Sequence, residues 1–215
     1  MRGVLSFLML LAIGIGCATL DKDPAVDLIR DGEQLYRTGA YAQAEESYRA
    51  ALKHRPNDAD LLYNVARCQD RLGRLNEAEK GYRDCIAQNP NHAEARHALV
   101  ELLVDTNRRK EAESMVQAWL KSNPGLAAPY IEDGWLRLLD GDLDSARGRF
   151  QQALELEPRN PRANAELARV YERIDRPDRA LVLYERSLEA DPNQPQLRQH
   201  LKGMLTRGIS RPRPD

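Results

Sequence analysis

Apolar side chains recur along this chain in stripes of helical spacing. Leu75, Ala78, Tyr82, Cys85 and Ile86 fall at i, i+3, i+7, i+10 and i+11, with Glu77 and Lys80 on the other face. Leu143, Ala146, Phe150, Ala153 and Leu154 repeat that spacing, with Arg147 and Gln151 opposite. One apolar stripe on a helical period predicts an amphipathic helix that buries one side. Strand-type alternation persists nowhere, so the pattern predicts an all-α chain.

The stripes are themselves periodic. Pro56, Pro90, Pro124, Pro158 and Pro192 stand 34 residues apart. Ala44, Ala78, Ala112, Ala146 and Ala180 precede them by 12 residues, and Tyr48, Tyr82, Val116, Phe150 and Tyr184 by 8. Such a period predicts stacked helical hairpins, none able to bury its apolar face alone. With each proline counted as position 32, the repeats span 25–58, 59–92, 93–126, 127–160 and 161–194.

Each recurring position has a physical role. Position 8 (Gly32, Ala66, Val100, Gly134, Ala168) and the alanines at position 20 let the two helices of a hairpin approach closely. Position 15 (Gly39, Gly73, Asn107, Gly141, Asp175) falls between them, where left-handed backbone ends a helix. Proline at position 32 lacks an N–H and stops the second helix. The large residue at position 24 is expected between neighbouring hairpins. Repeat 3 departs, with Val100, Asn107 and Trp119 at positions 8, 15 and 27, which predicts more open packing. Asp31 and Asp133 at position 7 read as partly exposed.

These positions together resemble the tetratricopeptide repeat (TPR) family over residues 25–194, about four-fifths of the chain. The resemblance implies a right-handed α-solenoid of five helical hairpins. It also implies a concave groove lined by the first helix of each hairpin, which holds peptides or helices of partner proteins. Carried onto this chain, the groove-facing positions of repeats 1 and 2 are Ile29, Glu33, Tyr36, Tyr63, Arg67 and Asp70. Repeats 3 and 4 offer His97, Glu101, Val104, Ile131, Trp135 and Leu138; repeat 5 offers Arg162, Arg169 and Glu172. Trp135 is expected to lead, because a groove-facing tryptophan is a common anchor of binding energy. The Lys/Asn/Arg clamp by which some members hold a terminal carboxylate is absent: only Asn64 matches it, and Ile29, Glu33, Glu94 and Ala98 occupy the other positions.

Beyond the repeats, Leu197, Leu201, Met204 and Leu205 predict a helix over 195–206 that caps the array. Residues 207–215 are basic and proline-rich, and are expected to be disordered. At the other end, Arg2 precedes an apolar run from Val4 to Ile15, too short to span a bilayer and suited to a signal peptide over 1–16. It ends in Gly14-Ile15-Gly16-Cys17, which resembles a bacterial lipobox, with Gly14 departing from the usual branched residue. That resemblance implies a lipid on Cys17, a tether over 17–24 and a place on the periplasmic face of the outer membrane. Cleavage after Ala18 to give a soluble periplasmic or secreted protein, or an uncleaved anchor, are the alternatives. In such a compartment Cys68 and Cys85 read as two buried thiols or as a disulfide.

Composition narrows the function. Lys plus Arg is 32 and Asp plus Glu 33, for a net charge of −1, which does not suggest a nucleic-acid binder. His54, His92, His97 and His200 form no metal motif and read as surface side chains. No phosphate loop, dinucleotide fingerprint or nucleophile elbow is present, so no enzyme, cofactor or small-molecule substrate is expected. The expectation is a lipid-anchored adaptor in the cell envelope that grips partner polypeptides, for example to assemble a pilus, secretion or outer-membrane complex. The alternatives are a regulatory adaptor for a peptidoglycan hydrolase or protease, and a self-assembling oligomer.

Overall fold

A computed structural model describes residues 23–212. The apolar run, Cys17 and most of the tether lie outside the described residues. Eleven α-helices and no strand are found among those described. They run α1 Pro24–Arg37, α2 Tyr41–His54, α3 Ala59–Arg71, α4 Leu75–Gln88, α5 Ala93–Asp105 and α6 Arg109–Ser122. They continue as α7 Ala127–Leu139, α8 Leu143–Leu156, α9 Pro161–Arg173, α10 Pro177–Ala190 and α11 Pro195–Thr206. Each consecutive pair up to α10 is one hairpin, and each hairpin packs on the next.

The hairpin turns share one mechanism. Position 15 is left-handed every time, with φ of 82° at Gly39, 74° at Gly73, 60° at Asn107, 79° at Gly141 and 58° at Asp175. The next residue then donates its N–H to a carbonyl five residues back, as Arg74 does to Gln69 at 2.9 Å and Asp142 to Arg137 at 3.0 Å. This satisfies carbonyls that the end of a helix leaves open. At the other end of each hairpin the second helix stops two residues before its proline, which stands exposed in the turn.

The first helices carry their own caps. Asp58, His92 and Asn160, all at position 34, accept the N–H of Leu61, Ala95 and Ala163 at 3.1, 3.1 and 2.9 Å. Leu126 holds that position in the third repeat, ahead of α7, and offers no side-chain cap. His92 corrects the surface reading of the histidines. It is buried, its Nδ1 accepts from Ala95, and its Nε2 lies 3.1 Å from Asp60.

Inside each hairpin the position-24 side chain covers position 8 of its own first helix, a contact beyond the inter-hairpin one expected. A Cβ built on Gly32 would come within 2.7 Å of the Tyr48 ring, and one on Gly134 within 2.8 Å of Phe150. In the third hairpin Val100 and Val116, both buried, replace that small–large pair, and α5 and α6 approach each other less closely than other paired helices. Cys68 and Cys85 are buried free thiols with no disulfide between them. Burial pushes their thiols up, to about 11 and about 12.

Asp133 also differs from expectation. It is buried, with its carboxylate 2.6 Å from Arg149 Nε, 3.3 Å from Arg137 Nε and 3.1 Å from the Gln117 amide. Asp31, its counterpart, is exposed as read. Helix α11 closes the open end by inserting Met204 into the apolar cluster of the last two repeats. Residues 207–212, expected to be disordered, have no regular secondary structure, yet Ile209 packs on that cluster and Arg211 Nε donates to Glu185 at 2.9 Å.

Candidate partner-binding groove

The first helices of the hairpins present their exposed faces to one shared groove of about 470 Å³. Its walls come from α1, α3, α5, α7 and the start of α9. Of the residues singled out from sequence, Tyr36, Tyr63, Arg67, Asp70, His97, Glu101, Ile131 and Arg162 line it. The helical register accounts for this. Tyr63 and Arg67 are four residues apart on α3, as His97 and Glu101 are on α5, so each pair shares a face.

One end of the groove is aromatic and cationic. The Arg67 guanidinium lies over the Tyr36 ring at 4.1 Å from its centre and beside the Tyr63 ring at 5.3 Å. Stacking of this kind holds the planar cation flat while leaving its N–H edge for hydrogen bonds. Arg71, one turn on, donates from Nε to the Tyr36 hydroxyl at 3.3 Å. Beneath this end Tyr63 packs on His92, ring centres 4.9 Å apart, so the cap of α5 also supports the wall. Burial raises the Tyr63 hydroxyl above its ordinary value, which keeps the ring neutral.

The other end is organised by a buried ion network. Glu132 is fully buried, and its carboxylate contacts Arg162 Nη1 and lies 3.2 Å from Arg162 Nη2 and 3.0 Å from His97 Nδ1. Burial alone would raise this carboxyl; Arg162 and His97 outweigh it and hold it below its ordinary value. His97 Nδ1 also lies 2.8 Å from Arg162 Nη2. Arginine only donates, so a bare Nδ1 accepts from Arg162 whereas a protonated one donates to Glu132. The network ties α5, α7 and α9 together behind the groove. Sequence reading placed His97 and Arg162 on the groove but missed Glu132, which stands at a position with no repeat signature.

Trp135, Leu138 and Arg169 do not line this groove. Trp135, expected to face a partner, is instead half-buried. It joins two apolar clusters and meets the His97 ring edge-on at 5.5 Å, because it fills the seam between the third and fourth hairpins. Leu138 is buried in the apolar cluster of the last two hairpins. Arg169 borders a separate cleft with Glu172, Tyr184 and His200 near α11, and pairs with Glu166 at 3.0 Å. Among the described residues no group of three or more His, Cys, Asp or Glu side chains could hold a metal ion.

Comparison with known proteins agrees with this geometry. A comparison with curated proteins finds no match. Among solved structures, a thermophilic TPR protein of Thermus thermophilus is 30% identical with a TM-score of 0.66, over 85% of this chain and 99% of that one. A chain of the APC/C hetero-tetramer Cut9-Hcn1 is 16% identical with a TM-score of 0.60, over 86% of this chain and 37% of that one, which is a likeness of fold alone. The family model for the tetratricopeptide repeat matches residues 35–82, 81–130 and 137–205. With five hairpins on one period and most of its length matched, the chain belongs to the tetratricopeptide repeat family.

Proposed function

We propose that this protein is a lipid-anchored adaptor of the bacterial cell envelope whose groove holds a segment of a partner polypeptide during assembly of an envelope complex. Membership of the repeat family supports a scaffold for protein–protein interaction. The observation that carries the reading is the continuous groove across α1 to α9, where aromatic rings, small apolar side chains and charged groups alternate at a scale suited to a peptide. The envelope placement rests on the apolar run from Val4 to Ile15 and on Cys17 at its end. A diacylglycerol anchor on Cys17 would tether the array without burying any of it.

Both halves of the reading are testable in cells. A photo-cross-linking amino acid in place of Tyr63 should trap a discrete envelope protein, identified by mass spectrometry, while the same group at exposed Glu46 on α2 should not. Equal trapping from both sites would refute the groove as the binding surface. Cys17→Ser should abolish metabolic labelling with palmitate; retained label would refute the anchor.

A further inference from the structure

The groove contains two guanidinium groups that form no ion pair among the described residues. Carboxylates sit close to most arginines that face a groove or seam: Arg162 on Glu132, Arg169 on Glu166, Arg149 on Asp133, Arg108 on Glu79. Arg67 and Arg71, one turn apart on α3, have no carboxylate within ion-pair distance among the described residues. Arg67 Nη1 reaches only the Asn64 side chain at 3.3 Å, and Arg71 Nε only the Tyr36 hydroxyl. Both line the groove. Half-burial between two rings fixes Arg67 in place, so a ligand that meets it gives up little side-chain freedom.

The rest of the groove restricts what can follow. Ala98, Ala128 and Ile131 supply an apolar stretch, and Asp70, Glu94 and Glu101 also line the groove without pairing with either arginine. A uniformly acidic segment would meet Asp70, Glu94 and Glu101 and be repelled; a uniformly apolar one would leave the half-buried Arg67 unpaired. Resting on the adaptor reading above, we propose that the groove selects a partner segment with a carboxylate seated on Arg67 and Arg71 and an apolar side chain placed beyond it on Ala98, Ala128 and Ile131. A fork of guanidinium N–H groups suits a carboxylate, and the stacked arginine supplies direction as well as charge.

The test uses random dodecapeptides displayed on phage and selected on the immobilised full-length protein, followed by fluorescence anisotropy of the enriched peptides. The inference expects enriched sequences that share an acidic residue beside an apolar one. It expects Asp→Asn or Glu→Gln in the peptide to weaken binding by about tenfold or more, as loss of a charge-assisted pair does. Arg71→Gln, at an exposed side chain, should weaken it likewise without changing the circular dichroism spectrum, while Arg71→Lys, which keeps the charge but not the fork, should fall between the two. Enriched peptides that lack an acidic residue, or that bind Arg71→Gln as well as wild type, would overturn this inference and leave the groove reading standing. No enrichment over an unrelated helical protein would overturn both. A dimer in sedimentation that Arg71→Gln dissolves would assign the arginines to a second copy of this chain and overturn the partner assignment.

Discussion

Gly134 lies so close beneath the Phe150 ring that a Cβ on it would come 2.8 Å from Cε1. The relation recurs with a rule. Glycine stands under Tyr48 and Phe150, and valine faces valine in the third hairpin. Where alanine takes the place, at Ala66 and Ala168, the hydroxyl of Tyr82 or Tyr184 donates to Asp70 or Glu172, at 3.3 and 2.7 Å. The small residue is thus one half of a matched pair, and its size tracks how the partner ring is held.

Two glycines of one hairpin should therefore respond oppositely to alanine. Gly134→Ala gains roughly 1 kcal/mol of helix propensity but overpacks the Phe150 contact by roughly 1–3 kcal/mol, a net loss of about 1 kcal/mol. Gly148, on α8, has no atom within 4 Å of a built Cβ. Gly148→Ala should stabilise by about 0.5–1 kcal/mol. Urea midpoints of the two variants decide it, and a Gly134→Ala variant more stable than wild type would refute the matched pair.

Removing Trp135 should lower stability more than it lowers peptide binding. The ring is half-buried and joins clusters on either side of the seam between the third and fourth hairpins. Truncation of a fully buried aromatic costs about 3–5 kcal/mol, so Trp135→Ala should cost roughly 2–3 kcal/mol. Thermal melting and anisotropy on the same sample separate the roles. An unchanged melting temperature with lost binding would return Trp135 to the groove.

Much of this was legible because it repeats. The five left-handed residues at position 15, the close-packed alanines at position 20 and the prolines after each second helix recur at one spacing, and each is set by backbone geometry that only certain residues meet. What escaped the sequence is pairwise and unrepeated. Glu132 and Arg162 meet across 30 positions, and nothing local distinguishes Glu132 from a solvated acid. Asp133 reads as an oddity until Arg137, Arg149 and Gln117 converge on it. His92 could have been found: Asp58 and Asn160 hold the same period position and are common capping residues, and the period points to His92 as their equivalent. The groove emerged in part, since helical register fixes which residues share a face but not which of them the seam between hairpins swallows.

The buried thiols give a prediction at alkaline pH. Burial raises Cys68 from 9.0 to about 11 and Cys85 from 9.0 to about 12. A group whose folded value lies above its unfolded one stabilises the fold below the unfolded value and loses that contribution as pH rises through the folded one. Stability should therefore fall from about pH 9 upward, and less in the variant with both cysteines replaced by alanine. At about pH 8, in a Cys17→Ser background, a thiol reagent should label the folded protein at least about 100-fold more slowly than the unfolded chain, since buried neutral thiols react only after opening. Rapid labelling of the folded protein would contradict the packing of both residues.

The Glu132 network should be sensitive to acid. Its carboxyl is held below the ordinary 4.5 by Arg162 and His97 despite full burial. A depressed acid stabilises the fold above its unfolded value and loses that contribution as pH falls through the folded one, so the network is intact at neutral pH and its contribution declines as pH drops below about 4.5. Glu132→Ala strips Arg162 of its partner, and breaking a buried pair costs about 3–5 kcal/mol; the side chain of Arg162 keeps 31% of its exposure, which favours the lower end. Replacing both by well-packed apolar residues, as in Glu132→Leu/Arg162→Met, should recover most of that loss. The stability gap between wild type and Glu132→Ala, read from urea midpoints, should narrow as pH drops from about 7 to about 3.5. A gap that stays constant over that range would mean the pair contributes nothing through its charge.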